Sequence, residues 1–428
     1  MSTYKLLIKN AKQIVTIRSD GAPYAIKDEM KHVEVVAGAP DACLVIDASG
    51  RISHIFPTSA ALEAALPPAT TTFAATIDAR QGVVLPGLVD PHTHPVWSGD
   101  RVHEFAMKLA GATYLDIHKA GGGISFTVDH TRASSEAELA ALFRERLDRM
   151  LALGTTLCEA KSGYGLNTET ELKMLRVIRG VEHPVERVAT FLGAHSVPKG
   201  LTADEQTRII LEETIPALKQ AMAAGEIDPE IVDVFHEKGI FEYENTKKIL
   251  EAGRDVLGLT IGFHGDELHH VSSGELAGAI GARSVSHLEM VSDAGIAAMA
   301  AAKTAGILLP STAYLMRLAP PPARKLIEGG VPVALGSDFN PNAFCLSMPM
   351  TMNLGCVLLG MSMEEALVAG TLNAAYAIGR EKEYGTLEVG KWGDCLVLDA
   401  PRWEHVIYEM CDPPITHVIK KGEVVFHK

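Results

Sequence analysis

Two imidazoles stand one residue apart in Asp90-Pro91-His92-Thr93-His94, directly after the apolar run Val83–Val89. At a strand end, side chains alternate with period two, so both rings face the same side and can grip one cation together. One such pair is weak evidence, because a histidine is as often an ordinary hydrogen-bonded core residue. The pattern recurs, however. His195 follows Val188–Leu192, His264 and Glu267 follow Leu259–Phe263, His287 follows Ser284–Ser286, and Asp338 follows Val333–Leu335. Four imidazole-bearing strand ends and an aspartate are hard to explain as packing. Neutral imidazoles with one carboxylate suit Zn²⁺ or iron, whereas Mg²⁺ and Ca²⁺ prefer oxygen shells. Such an ion lowers the pKa of water toward neutrality, which prepares hydrolysis at carbon. Asp338 can ligate the ion and hold that water. Glu267, three residues past His264, can carry a proton to a leaving nitrogen.

These residues need a scaffold that brings distant strand ends to one face. The middle of the chain alternates apolar runs with helical patterns. The runs are Val83–Val89, Thr155–Glu159, Val188–Leu192, Ile231–Phe235, Leu259–Phe263, Ser284–Ser286, Gly306–Leu309 and Val333–Leu335. Helical periodicity covers Glu136–Leu153, Glu169–Arg179, Ala203–Ala224, Glu244–Ala252 and Ser273–Ile280. Eight such units predict an α/β fold, a (β/α)₈ TIM barrel whose chemistry sits at the carboxyl ends of the strands. Met361–Ile378 reads as a long core helix rich in Met and Ala. Short strand patterns crowd both ends of the chain, with a turn signal at Asp47-Ala48-Ser49-Gly50. Such strands bury too little surface separately, which predicts one small β-sandwich built from both termini. The expected division is 1–81 and 381–428 for the sandwich, with 82–380 for the catalytic barrel.

A formal charge of −14 argues against nucleic-acid or anionic-membrane partners. An anionic small-molecule substrate would have to meet a local cation against that field. No run of about 18 uncharged apolar residues predicts a membrane span, and Lys303 interrupts the Ala-rich stretch from Gly295 to Pro310. No leader pattern is legible, and the six cysteines show no paired spacing. The expectation is a cytoplasmic protein with reduced thiols, in which Cys158 is a buried residue and not a nucleophile.

The order of ligand types resembles the amidohydrolase superfamily, which carries H-x-H on strand one, His on strands five and six, and Asp on strand eight. Thr371-Leu372-Asn373-Ala374-Ala375 and Gly385-Thr386-Leu387-Glu388-Val389-Gly390-Lys391 fit its tail. The His264-x-x-Glu267 spacing is similar to the mononuclear branch, and Lys238 is not where a metal-bridging lysine would stand, so one metal is implied. Longer stretches are similar to the imidazolonepropionase family in its animal form, over nearly the whole chain. They are Gly99-Asp100-Arg101, Leu109-Ala110-Gly111-Ala112, Gly121-Gly122-Gly123-Ile124, Lys161-Ser162-Gly163-Tyr164-Gly165-Leu166, Ala194-His195-Ser196-Val197-Pro198 and Asp338-Phe339-Asn340-Pro341.

That resemblance implies hydrolysis of 4-imidazolone-5-propanoate to N-formimino-L-glutamate, a step in histidine degradation. It implies that His92, His94, His264 and Asp338 hold one zinc or iron ion. It makes Glu267 the general acid/base, gives His287 the task of polarising the carbonyl or its water, and assigns Arg101, Tyr164, His195, Glu267 and Asn340 to substrate. A guanidinium forks onto a carboxylate, which suits Arg101 to a propionate. Asn342 and Ala343 stand where many bacterial members have Gly and Ser, so their contact with substrate stays open. His236 is given no role. A homodimer is implied. The rival readings are a guanine or cytosine deaminase, which would need no anion-binding arginine, and a non-catalytic barrel, which would tend to lose ligands.

Overall fold

The apolar run Val83–Val89 serves two sheets at once. Val83–Pro86 pairs antiparallel with Cys395–Leu398, whereas Leu88–Asp90 pairs parallel with Thr155–Lys161. The single barrel strand expected there is therefore divided at Gly87. Pro86 has no amide hydrogen with which to extend a ladder. A Cβ on Gly87 would lie 2.2 Å from Thr156 Oγ1, so only glycine lets the chain cross so close to the neighbouring strand.

The computed structural model describes residues 2–18, 20–36, 41–111 and 122–428. Ala112 and Gly121, from two of the family-like stretches, lie outside the described residues. In chain order the first strands are β1 (Ser2–Ala11), β2 (Gln13–Ile17), β3 (Glu34–Val36), β4 (Ala42–Ile46), β5 (Ile52–Phe56), β6 (Thr71–Asp78) and β7 (Val83–Pro86). The barrel follows as β8 (Leu88–Asp90), β9 (Thr155–Lys161), β10 (Glu186–Ala194), β11 (Ile231–His236), β12 (Thr260–Gly265), β13 (Ser284–His287), β14 (Ala305–Leu308) and β15 (Val333–Leu335). The chain ends with β16 (Cys395–Leu398), β17 (Ile415–Lys420) and β18 (Glu423–His427).

β8 to β15 form one eight-stranded sheet in sequence order, with every neighbouring pair parallel. The seam between its first and last strands closes beyond the strands themselves. Asp338 N donates to His92 O at 3.1 Å and His94 N donates to Phe339 O at 2.8 Å. The terminal strands make two further sheets, one ordered β5-β4-β1-β6 and one ordered β18-β17-β16-β7-β2-β3. Leu6, Ile8, Leu44 and Ile46 of the first pack with Ile14, Val84, Val397 and Ile419 of the second. The sandwich thus joins both termini, as their short strands require.

Helices flank the barrel strands where periodicity and caps coincide. Ser135 and Glu138 form a capping box at the start of Glu136–Ala152, and Asn167 caps Thr168–Gly180. Two expected helices differ in detail. Ala203–Ala224 is interrupted by a π-helical turn at Ile210–Thr214, beside Pro216, whose missing N–H leaves the ordinary ladder one donor short. Met361–Ile378 is two helices, Met363–Ala369 and Leu372–Ala377, that part at Gly370-Thr371. Among the described residues no helix is long and apolar enough to cross a membrane.

Candidate active site

His92 and His94 leave the end of β8, and His264 stands on β12 beside Phe235 and Ser286 in register. All three rings are buried. Their ligand atoms lie within 4.8 Å of one another. Nε2 of His94 is 3.3 Å from Nε2 of His92 and 3.2 Å from Nε2 of His264. Asp338 Oδ1 is 3.4 Å from His92 Nε2 and 3.5 Å from His94 Nε2. Four ligands at the ordinary zinc distances stand about 3.3 Å apart along the edges of a tetrahedron. The three nitrogens, with Asp338 Oδ1 beside two of them, are spaced as donors around one small cation, and the donor set is the nitrogen-plus-carboxylate mixture that zinc and iron accept.

His264, His92 and Asp338 are each held from behind, whereas His94 Nδ1 has no hydrogen-bond partner among the described residues. His264 donates from Nδ1 to Asp233 Oδ1 at 2.9 Å, and its backbone N–H donates to the same oxygen at 3.1 Å. Lys161 Nζ donates to Asp233 Oδ2 at 2.8 Å and to Glu159 Oε1 at 2.5 Å. His92 Nδ1 pairs with Ser286 Oγ at 2.8 Å. Thr312 Oγ1 donates to Asp338 Oδ2 at 2.5 Å. These contacts fix which ring nitrogen faces the centre. Burial holds His94 and His264 down to about 4, so both rings are neutral and ready to ligate near pH 7. Asp338 is held well below the carboxylate range against the penalty of burial, by His92 and His94. Asp233 is lowered likewise, by His264 and Lys161.

The backbone at this face is unusual. Asp266, His287, Leu288 and Asp338 all have positive φ, with His287 at +80°. Non-glycine residues rarely take this conformation, and such strain gathers at functional sites. His287 Nε2 stands 3.5 Å from Glu267 Oε2, and Nδ1 stands 3.8 Å from Glu289 Oε2. Glu289 is buried, with no hydrogen-bond donor on either oxygen among the described residues. Against the penalty of burial, Glu267 and Glu289 raise His287 to about 10. Burial, with Glu289 and Asp338 nearby, pushes Glu267 up to about 7. Glu267 can therefore exchange a proton with a reacting group near neutral pH, while His287 keeps its proton there.

A cavity of about 310 Å³ opens over this cluster, bounded by His94, Tyr164, His195, Glu267, His287 and Asp338 among others. His195 stacks on His94, with centroids 4.8 Å apart, and donates from Nδ1 to Gly163 O at 3.0 Å. Gly163 takes φ +107°, and a Cβ there would stand 3.1 Å from His195 Nδ1. Tyr164 is buried against both rings.

Arg101 and Asn340 also reach the cavity, but both are engaged. Arg101 donates from Nε and Nη2 to Glu104 at 2.9 and 2.7 Å. The Asn340 amide ties its own loop to Asp338 O and to the N–H groups of Asn342 and Ala343. Ala343 is fully buried and does not line the cavity, whereas Asn342 and the exposed Lys238 do. His236 is buried, pairs with Ser273 Oγ at 3.0 Å, and stands apart from the cavity wall.

Sequence reasoning missed Asp233, Lys161, Glu159, Thr312 and Glu289. A period-two reading of Ile231–His236 and Thr155–Lys161 could have flagged the first three, since charges inside otherwise apolar barrel strands need buried partners.

Comparison with known proteins agrees with this fold. Residues 83–425 match the amidohydrolase family. The chain is 56% identical over 426 residues to a probable imidazolonepropionase of Dictyostelium discoideum, covering 99% of this chain and 98% of that one. It is 52% identical over 431 residues to a probable imidazolonepropionase of Nematostella vectensis, covering 99% of both. A triazine hydrolase variant superposes with a TM-score of 0.71 at 14% identity, covering 99% of this chain and 94% of that chain. At that identity the likeness speaks to the fold alone.

Proposed function

Because the chain belongs to the amidohydrolase family, and within it to the imidazolonepropionases, we propose that it hydrolyses 4-imidazolone-5-propanoate to N-formimino-L-glutamate. It is a hydrolase of the metal-dependent kind, and His92, His94, His264 and Asp338 would hold one zinc or iron ion. When bound, that ion supplies Lewis acidity and lowers the pKa of water in the cavity. The chain's own residues do the rest. Glu267 takes a proton from the attacking water as its oxygen bonds to the ring carbonyl carbon. The carbon–nitrogen bond of the ring then breaks, and Glu267 returns the proton to the departing nitrogen. His287, protonated between Glu267 and Glu289, donates a hydrogen bond toward the carbonyl oxygen as negative charge develops there. Tyr164 and His195 wall the ring in and orient it, and Arg101 and Asn340 stand at the end that takes the propionate.

The observation that carries the chemistry is the convergence of three Nε2 atoms and Asp338 beneath a cavity that Glu267 and His287 also line. Full-length similarity to the imidazolonepropionases supports the substrate. The test is the loss of ultraviolet absorbance of freshly prepared 4-imidazolone-5-propanoate on addition of the metal-loaded protein, with metal analysis of the same sample. Turnover is expected. Ammonia release from guanine or cytosine with the imidazolone left intact would replace this reading with a deaminase.

A further inference from the structure

We propose that Lys108 is a specificity-determining residue, supplying the uncompensated positive charge that selects a substrate carrying a carboxylate. The inference rests on the hydrolase reading above and deepens it. Arg101 is not a free cation. Its fork is closed on Glu104, which is itself 2% exposed and also accepts the Gly123 N–H at 2.8 Å. The pair is electrically neutral and braced from both sides. Only the Nη1 edge of Arg101 carries no hydrogen bond among the described residues.

Lys108 lies further along the same helix, Val102–Leu109. Its Nζ donates to Asn342 Oδ1 and stands 4.0 Å from Met316 Sδ. Among the described residues no carboxylate forms an ion pair with it. A cavity of about 280 Å³ is bounded by Arg101, Lys108, Met316 and Asn342. Arg101, Met316 and Asn342 also line the cavity over the three histidines. A substrate arm that passes Asn342, four residues beyond Asp338, therefore reaches Lys108.

Burial makes an unpaired ammonium costly and lowers its pKa, with Arg101 adding to the effect. An entering anion is the group that offsets this cost. The net charge of −14 makes a local cation the more necessary for an anionic substrate.

The test compares the acid substrate with its uncharged propionamide counterpart in the metal-loaded full-length protein. Lys108→Met removes both charge and donor. Lys108→Gln keeps a donor for Asn342 and removes only the charge, so it separates recognition from scaffolding. Both variants are expected to raise KM for the acid by roughly 30-fold or more. Turnover of the acid, and both constants for the amide, should stay within about 3-fold of wild type. Lys108→Arg should restore most of the preference for acid over amide. An unchanged preference in Lys108→Gln overturns the proposal, as does an equal loss on both substrates. A wild-type protein inactive on both compounds would instead overturn the assigned reaction.

Discussion

Glu267 and His287 divide the proton work between them, and their surroundings make that division testable residue by residue. Glu267 is held near neutrality, to about 7, by burial and by neighbouring carboxylates. Its Oε2 stands 3.5 Å from His287 Nε2, and it is not among the donors around the cation position. Glu267→Gln should therefore leave metal content intact and lower kcat by roughly 10²- to 10⁴-fold. Steady-state rates paired with metal analysis check this, and near-normal turnover would remove Glu267 from the mechanism. Glu289 acts at one remove. Its buried carboxylate faces His287 Nδ1 and helps raise that ring to about 10 against burial. A ring with a raised pKa keeps its proton up to that value and loses it above. Taking away one negative neighbour lowers the value, so Glu289→Gln should move the alkaline limb of the kcat profile down by about one pH unit or more. A purely structural role would lower activity at all pH values and leave the limb where it was.

At the scale of strands, the site depends on what stands one residue pair behind the donors. Asp233 on β11 takes both the ring and the backbone N–H of His264 on β12, and Lys161 on β9 steadies its other oxygen. Asp233→Asn keeps the shape but lets the amide turn its NH₂ toward His264 Nδ1, which removes the acceptor that fixes the ring. Metal affinity should fall by roughly 10- to 100-fold, as loss of such a partner does. Competition against a chelator of known affinity measures it, and unchanged affinity would show that packing alone orients His264. The strand ends that bear His92, His195, His264, His287 and Asp338 were legible in the sequence because each apolar run stops at a residue with ligand chemistry. The supporting charges were not, because Asp233 lies on β11 and Glu159 and Lys161 on β9, and their pairing is set by barrel register. Two element boundaries also escaped. Pro86-Gly87 inside the apolar run Val83–Val89 marks where one sheet gives way to the other, but hydropathy alone passes over it. The π-helical turn at Ile210–Thr214 follows from the ladder around Pro216, which periodicity does not report.

Across the whole molecule, the cation position lies on the barrel's seam. The first and last barrel strands are joined by backbone bonds at His92, His94, Asp338 and Phe339, and three of those residues are proposed metal ligands. An ion there would bind chain segments about 250 positions apart and link them to β12 through His264, so it would act as a staple of the fold as well as a reagent. Ligand binding to the folded state alone adds stability as RT ln(1 + [L]/Kd), about 4 kcal/mol at a thousandfold excess over Kd. Chelation should therefore lower the melting temperature measured by calorimetry. The metal-free protein should also respond to acid in a defined direction. His94 and His264 titrate at about 4 when folded and at the ordinary 6.5 when unfolded. Below 6.5 the unfolded chain binds protons that the folded chain refuses, so stability is full above about pH 7 and is lost as pH falls toward 4. The loss amounts to about 3 kcal/mol for each ring. Scans of the chelated protein from pH 7.5 to 4.5 should show this fall. A melting temperature that stayed flat across that window would mean that the two rings take up protons in the metal-free fold as readily as in the unfolded chain, and that burial does not hold them neutral.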